Sequence, residues 1–414
     1  MLVLSAPAAA QNAEVRAGRV VDPAAGRLLS DQRIRISGGK IVSVTPWRDT
    51  DGPATVDWSA FTVLPGLIDM HTHVADGYPS SSDPAEPLKH AEAETILKGA
   101  EAARIMLHAG FTTVRDVGVY RGLTDVALRN AIDRGWVEGP RMFVAGGYIT
   151  IPGGGGAVTG AAPGVAVPAE FRIGEVRTVD DARQRVRHLL QNGADFIKLI
   201  ATGAVLAMGS DPGALELSPE QMKAACYEAK QRGSYCIAHA HGANGIKAAI
   251  LAGARTIEHA SYLDAEGIAL ARKHGVWLDM DIYNGEWFRE VGTKEGWPAE
   301  YLRKGEETTD VQRHGFAAAV KAGAKMTFGT DAAVYPYGLG GRQFAYMVRF
   351  GMTPMQAIQS ATTEAARALG KEGQLGTLAP GAWGDLVAVT GYPLTDIRVL
   401  EQVKGVVKGG RLVR

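Results

Sequence analysis

Between Phe61 and Leu369, short apolar runs rich in β-branched residues alternate with longer stretches whose hydrophobic positions recur every three to four residues. The first pattern suits strands and the second helices. Strands are predicted at Thr62–Met70, Thr112–Val117, Arg141–Gly146, Phe196–Ala201, Tyr235–Ala240, Arg255–His259, Val276–Ile282 and Met326–Thr330. Helices are predicted between them, among others over Ala85–Ala109, where Glu92, Glu94 and Lys98 mark the wet face, and over Val179–Asn192 and Ser218–Arg232. Ser218-Pro219-Glu220-Gln221 supplies an N-cap, a proline at the first helical position and a glutamine at the capping-box position. Gly110, Gly193, Gly233, Gly253, Gly275 and Gly323 stand where helices should stop. Eight strands with helices between them imply an α/β fold, a TIM-type (β/α)8 barrel.

Outside this region the rhythm changes. Arg16 to Asp57, and then Gln374–Val389 and Lys404–Val413, read as short strands joined by Gly and Pro turns such as Pro380-Gly381. Neither end has enough strands to stand alone, so both termini are expected to combine into one small β-sandwich domain, residues 11–60 plus 374–414, beside a barrel of residues 61–373. Met1 to Ala10 is small and apolar and ends in Ala8-Ala9-Ala10, like the tail and cleavage site of a secretory signal, although the charged n-region is missing. A signal-peptide remnant predicts a periplasmic or secreted protein; a mere tail would leave it cytoplasmic.

Composition narrows the class. Hydrophobic residues make up 46% of the 414, and 44 Lys+Arg balance 44 Asp+Glu, which excludes disordered, fibrous and membrane-spanning chains. Zero formal charge gives no electrostatic case for nucleic acid or a membrane surface, so a small-molecule substrate is expected, on a chain expected to form a homo-oligomer. The two cysteines, Cys226 and Cys236, are too few for a disulfide framework and read as buried thiols.

Chemistry-bearing residues gather at the predicted strand ends. Asp69-Met70-His71-Thr72-His73 closes the first strand, and alternation points His71 and His73 the same way. Such a pair alone is more often two ordinary histidines. Lys198 on strand four, His239 on strand five, His259 on strand six and Asp331 after strand eight, however, fall where barrel enzymes place their sites. Lys198 lies within Phe196-Ile197-Lys198-Leu199-Ile200, where a charged ammonium is costly unless paired or neutralised. It is either a salt-bridged core lysine or an amine that takes up CO2 to become a carbamate bridging two metal ions. Imidazoles and carboxylates at the other positions suit Zn2+.

Leu64-Pro-Gly-Leu-Ile-Asp-Met-His-Thr-His73, Ile197-Lys198-Leu199-Ile200-Ala201-Thr202-Gly203, Ala238-His239-Ala240-His241-Gly242, Glu258-His259 and Phe328-Gly329-Thr330-Asp331-Ala332 resemble the amidohydrolase superfamily of binuclear metal hydrolases. The likeness spans nearly the whole chain. It is nearest to the branch of Xaa-Pro and Xaa-Arg/Lys dipeptidases, imidazolonepropionase-like proteins and ochratoxin A amidohydrolases. It implies two Zn2+ or other divalent ions per chain. His71, His73 and Asp331 would ligate the more buried ion, His239 and His259 the more exposed one, and a CO2-derived carbamate on Lys198 would bridge them. A hydroxide bridging the ions would attack, with Asp331 taking its proton and passing it to the leaving amine.

His241 projects to the same side as His239 and, by the same resemblance, would bind the substrate's developing oxyanion. Arg115, after strand two, and Arg342, after strand eight, are candidates to grip a substrate carboxylate. Trp287, Phe288, Trp297, Tyr335 and Tyr337 suggest an aromatic rim. The run Ile151-Pro-Gly-Gly-Gly-Gly156-Ala-Val-Thr-Gly160 has no histidine where many relatives of this branch carry one; it reads as a flexible lid, and it lacks the Lys-Ser/Thr ending of a phosphate-binding P-loop. The expected activity is hydrolysis of the amide bond to a C-terminal amino acid in a dipeptide or N-acyl amino acid, ochratoxin-like amides included. Hydrolysis of a cyclic amide, or of a phosphotriester or lactone on the same ligands, is the alternative. Deaminases of the superfamily typically lack the lysine, and non-catalytic relatives usually lose ligands.

Overall fold

The computed structural model describes residues 12–76 and 82–414, so the proposed leader remnant Met1–Ala10 lies outside the described residues. Along the chain run β1 Ala13–Asp22, β2 Arg27–Ser37, β3 Lys40–Pro46, β4 Val56–Pro65, β5 Leu67–Thr72, β6 Phe111–Asp116, β7 Arg141–Val144 and β8 Tyr148–Ile149. They are followed by β9 Ile197–Ile200, β10 Cys236–Ala240, β11 Thr256–His259, β12 Trp277–Asp279, β13 Lys325–Thr327, β14 Leu386–Val389, β15 Val403–Lys408 and β16 Arg411–Leu412. Helices fill the intervals from β5 onwards, and the expected ones fall at Glu92–His108, Val179–Gln191 and Pro219–Gln231. Ser218 Oγ accepts from Gln221 N at 3.2 Å and Ser218 N donates to Gln221 Oε1 at 2.9 Å, which completes the capping box. No helix among the described residues is long and apolar enough to cross a membrane.

Both ends of the chain do meet in one β unit. It is a single seven-stranded sheet, β16-β15-β14-β4-β1-β2-β3, rather than the two layers of the expected sandwich. The sheet curls: Ile41 N donates to Ala382 O and Gly384 N to Gly39 O, both at 2.8 Å, which brings β3 back against the segment leading into β14. Val15, Ile34, Ile41, Trp58, Leu386 and Val407 pack as its core.

The parallel strands form a six-stranded sheet, β13-β12-β11-β10-β9-β8, and a three-stranded one, β5-β6-β7. Their residues are buried on both faces, as helix-covered parallel strands require. Backbone bonds cross both seams: Met70 N to Phe328 O at 2.8 Å, Asp331 N to His71 O at 2.8 Å and His73 N to Ala332 O at 2.9 Å at one, and Asp195 N to Val144 O at 2.8 Å at the other.

Two expected strands differ in extent. The first spans the boundary between the sheets, with Gly66 as the joint; a Cβ there would lie 2.1 Å from Thr112 Oγ1 and 2.8 Å from Asp385 Cβ, so only glycine passes. The third stops at Val144 as β7, which pairs with β6; beyond Gly146-Gly147, both with positive φ, follows a further short strand outside the expected range, β8, which pairs with β9.

Candidate metal and substrate site

His71, His73, Lys198, His239, His241, His259 and Asp331 all line one cavity at the C-terminal ends of the parallel strands. Alternation accounts for most of this: His71 is the last but one residue of β5 with His73 just beyond the strand, and His239 lies on β10 with His241 next after that strand. His259 needs more. Glu258 is fully buried on β11, so a regular strand would turn its neighbour His259 away. Instead His259 and Ala260 take φ of +66° and +50°, and Asp331 takes +56°, left-handed backbone that swings both side chains into the cavity. Such conformations cost about 1–3 kcal/mol each in non-glycine residues and gather at functional sites.

Three of the expected imidazole ligands have one nitrogen committed to an oxygen. His73 Nδ1–H donates to Gly118 O at 2.8 Å, His239 Nε2–H to Gly203 O at 3.1 Å and His259 Nδ1–H to Asp281 Oδ1 at 3.0 Å. His71 Nδ1 lies 3.1 Å from Glu258 Oε2, and its Nε2 lies 3.2 Å from Asp331 Oδ1, but neither contact is aligned as a hydrogen bond. At His73, His239 and His259 this assignment leaves the other nitrogen as a lone pair, the arrangement of histidines that hold metals.

The spacing fits an ion as well. Asp331 Oδ1 is 3.2 Å from His71 Nε2 and 3.1 Å from His73 Nε2. Ligands about 2.0–2.1 Å from a shared tetrahedral ion stand about 3.3 Å apart. His239, His241 and His259 form a second group whose donor atoms lie within 4.8 Å of one another.

Lys198 is 1% exposed and, among the described residues, makes neither a hydrogen bond nor an ion pair, so the salt-bridged core lysine is not what the structure contains. Burial lowers its ammonium to about 8. Burial, with the neighbouring His259, holds His241 well below the ordinary imidazole value, and burial does the same at His239, so both are neutral at pH 7. At Asp331 burial is outweighed by His71 and His73, which hold the carboxyl well below its ordinary value. At His71 burial is outweighed by the Asp331 and Glu258 carboxylates, which raise it to about 9.

Neither expected arginine reaches the cavity. Arg115 is 0% exposed and lies beneath the site, donating to Met70 O at 2.6 Å, to Thr256 Oγ1 at 2.9 Å and to both oxygens of Glu258 at 2.9 Å. It braces Glu258 behind His71, and no face is left for a substrate. Arg342 donates to Tyr283 OH at 2.8 Å and is not part of the cavity wall. The arginine that does line the cavity is Arg121, which donates to Glu170 and to His90 O, each at 2.8 Å.

The aromatic rim is largely a wall seen from behind: Phe288 faces the cavity, whereas Trp297 and Tyr335 pack with Tyr283 and Val334. Tyr337 OH donates to His73 O at 3.3 Å. Several contributors went unread in the sequence: Tyr148, whose OH lies 3.0 Å from His73 Nδ1; Ser261, whose Oγ lies 2.7 Å from His241 Nδ1; Asn284 and Gln312. Asn284 Nδ2 donates to Asp281 and, at 3.3 Å, to Asp331 Oδ2, and Gln312 Nε2 donates to His259 O at 3.0 Å. Asp281, which binds both, has a signal in the sequence, since it lies at the C-terminal end of the expected strand Val276–Ile282.

A hydrolase site of this kind, built from strand-end histidines, a buried lysine and an aspartate, has known counterparts. The sequence profile of the amidohydrolase family matches residues 62–413, and the chain belongs to that family. It is 30% identical over 370 residues to the ochratoxinase of Aspergillus niger, covering 85% of this chain and 75% of that one. A crystal structure of a Xaa-Pro dipeptidase with methionine bound in the active site superposes with a TM-score of 0.90 at 35% identity, covering 97% of this chain and 99% of the other. A prolidase complexed with N-methylphosphonate-L-proline gives 0.88 at 30% identity, with the same coverage. The protein is thus a hydrolase of the amidohydrolase type, similar to enzymes named for peptide and amide substrates.

Proposed function

We propose that this protein is a binuclear zinc amidohydrolase that cleaves the amide bond to a C-terminal amino acid in a dipeptide or N-acyl amino acid. The observation that carries the reading is the set of four imidazoles, three of them tied back through one nitrogen and the fourth, His71, set against Glu258, around Asp331 and the unpaired buried Lys198. The strands that position them are read as one closed (β/α)8 barrel. His71, His73 and Asp331 would hold one ion, His239 and His259 the other. Lys198 Nζ, as the neutral amine, would add to the carbon of CO2 and lose a proton, giving an anionic carbamate that bridges the two. The ions would supply Lewis acidity and a water acidic enough to attack.

The chain's own groups do the rest. Asp331 turns Oδ1 towards His71 and His73, where it would hold the ion, and its other oxygen, Oδ2, steadied by Asn284, would accept the proton of the attacking water and return it to the departing amine. Ser261 Oγ lies 2.7 Å from His241 Nδ1, and by donating to it would keep the proton of this neutral ring on Nε2. That N–H stabilises the carbonyl oxygen as negative charge develops on it. The relatives' names, ochratoxinase and Xaa-Pro dipeptidase, favour an amide next to a free carboxylate.

A panel of Xaa-Xaa dipeptides and N-acyl amino acids, ochratoxin A among them, assayed by amino-acid release against a phosphotriester, a homoserine lactone and a cyclic amide, tests the proposal. Amino-acid release as the fastest reaction supports it. Preferential turnover of any of the other three overturns it.

A further inference from the structure

The glycine run after β8 is packed rather than loose. Gly153 has φ +71°, and the next three residues lie flat against the loop after β9. A Cβ on Gly154 would be 2.5 Å from Glu216 Oε2, one on Gly155 would be 2.9 Å from Ala204 Cβ, and one on Gly156 would be 2.8 Å from Ile200 Cγ1. The run that reads as a flexible lid is here packed: at Gly154, Gly155 and Gly156 a side chain would collide with Glu216, Ala204 and Ile200, so glycine is required.

Both loops lack regular structure, so side chains must fix their shape. Glu216 joins them, its Oε2 accepting from Gly155 N at 2.8 Å and its Oε1 from Ser210 Oγ at 2.9 Å. Ser210 Oγ in turn accepts from Ala204 N at 3.0 Å. Behind this sits Lys304 on the helix Ala299–Lys321, 1% exposed. Its Nζ donates to Ala204 O at 3.2 Å, Ala207 O at 2.6 Å, Ser210 O at 2.9 Å and Glu300 Oε1 at 2.9 Å. Glu300 Oε1 also accepts from Gly209 N at 2.9 Å. One ammonium thus gathers three carbonyls of a single loop, and the loop bears Ala204, Val205 and Leu206 on the cavity wall beside Gly155 and Gly156.

We propose that Lys304 is a positioning residue that, through the loop Ala204–Ser210 and Glu216, holds the glycine run closed against the cavity and so fixes the wall that selects the substrate's apolar portion. This rests on the reading of the cavity as the substrate site. With the ammonium removed, three buried carbonyls lose their donor, which favours an opened loop over the folded one. Val205 and Leu206 then leave the wall, while the strand-borne metal ligands stay where the strands put them.

The experiment compares Lys304→Met, Lys304→Arg and Glu216→Ala with the parent, by hydrogen exchange of peptides covering 152–160 and 202–216, by metal content and by steady-state kinetics on N-acyl amino acids with short and long acyl chains. Lys304→Met should lose exchange protection in both segments with metal content unchanged, and KM for the long-chain substrate should rise about tenfold or more, with the loss falling on KM rather than kcat. Lys304→Arg, which retains the charge, should recover part of the protection. Glu216→Ala, which keeps the Lys304 bonds, should expose 152–160 more than 202–216, and it tests the link even if Lys304→Met fails to fold. Unchanged exchange in these folded variants, or lost protection with an unchanged KM ratio between long and short chains, overturns the proposal. Failure of the substrate-site reading would show separately, as a parent protein without turnover whose exchange pattern still responds to Lys304→Met.

Discussion

Arg115→Met should damage both stability and metal binding, because the Arg115–Glu258 pair is closed off from water at 0% exposure on each side. Removing the guanidinium leaves the Glu258 carboxylate buried without its cation and strips donors from Met70 O and Thr256 Oγ1. Breaking a buried pair from one side costs about 3–5 kcal/mol, whereas replacing both partners with apolar groups can be close to neutral. Glu258 also stands 3.1 Å from His71 Nδ1, so an unanchored Glu258 no longer orients that ring, and the loss of such a supporting contact typically weakens metal binding about 10–100-fold. Urea unfolding of the metal-free protein reads the first effect, and competition against a chromophoric chelator reads the second. Arg115→Met should be the less stable of the pair Arg115→Met and Arg115→Met/Glu258→Met, and both should bind metal more weakly than the parent. An Arg115→Met protein within about 1 kcal/mol of the parent, with unchanged metal affinity, would refute the bracing role.

Two other outcomes bear on the site. Lys198→Ala should abolish activity and weaken metal retention, with partial recovery in added acetate or propionate, and Lys198→Arg should show no such recovery; near-normal turnover with two metals in Lys198→Arg would make the lysine structural. His241→Ala should lower kcat by roughly tenfold to a thousandfold with metal content intact, while loss of an ion would reassign His241 as a ligand beside His239 and His259.

How far the sequence reveals this site follows from the range of each interaction. His71, His73, His239 and His241 are legible because a strand's two-residue alternation is local, and the capping box at Ser218 because it closes within four residues. Arg115 is not, because its partner Glu258 lies 143 residues away and only the closed fold brings them together. His259 joins the site through a left-handed backbone that no alternation rule supplies. The glycine run looks loose in one dimension because the surface it packs on, Ile200, Ala204 and Glu216, is contributed by the end of β9 and the loop that follows it. The β sandwich was expected from strand number alone, whereas the curl that makes one sheet suffice depends on contacts between Ile41 and Ala382, at opposite ends of the chain.

The central claim, a two-metal hydrolytic site, is tested most directly by elemental analysis of purified, active protein alongside its amidase rate. The account predicts close to two divalent ions per chain, with activity lost on chelation and restored as the second ion is added back. An active preparation carrying one ion per chain, or none, would contradict it.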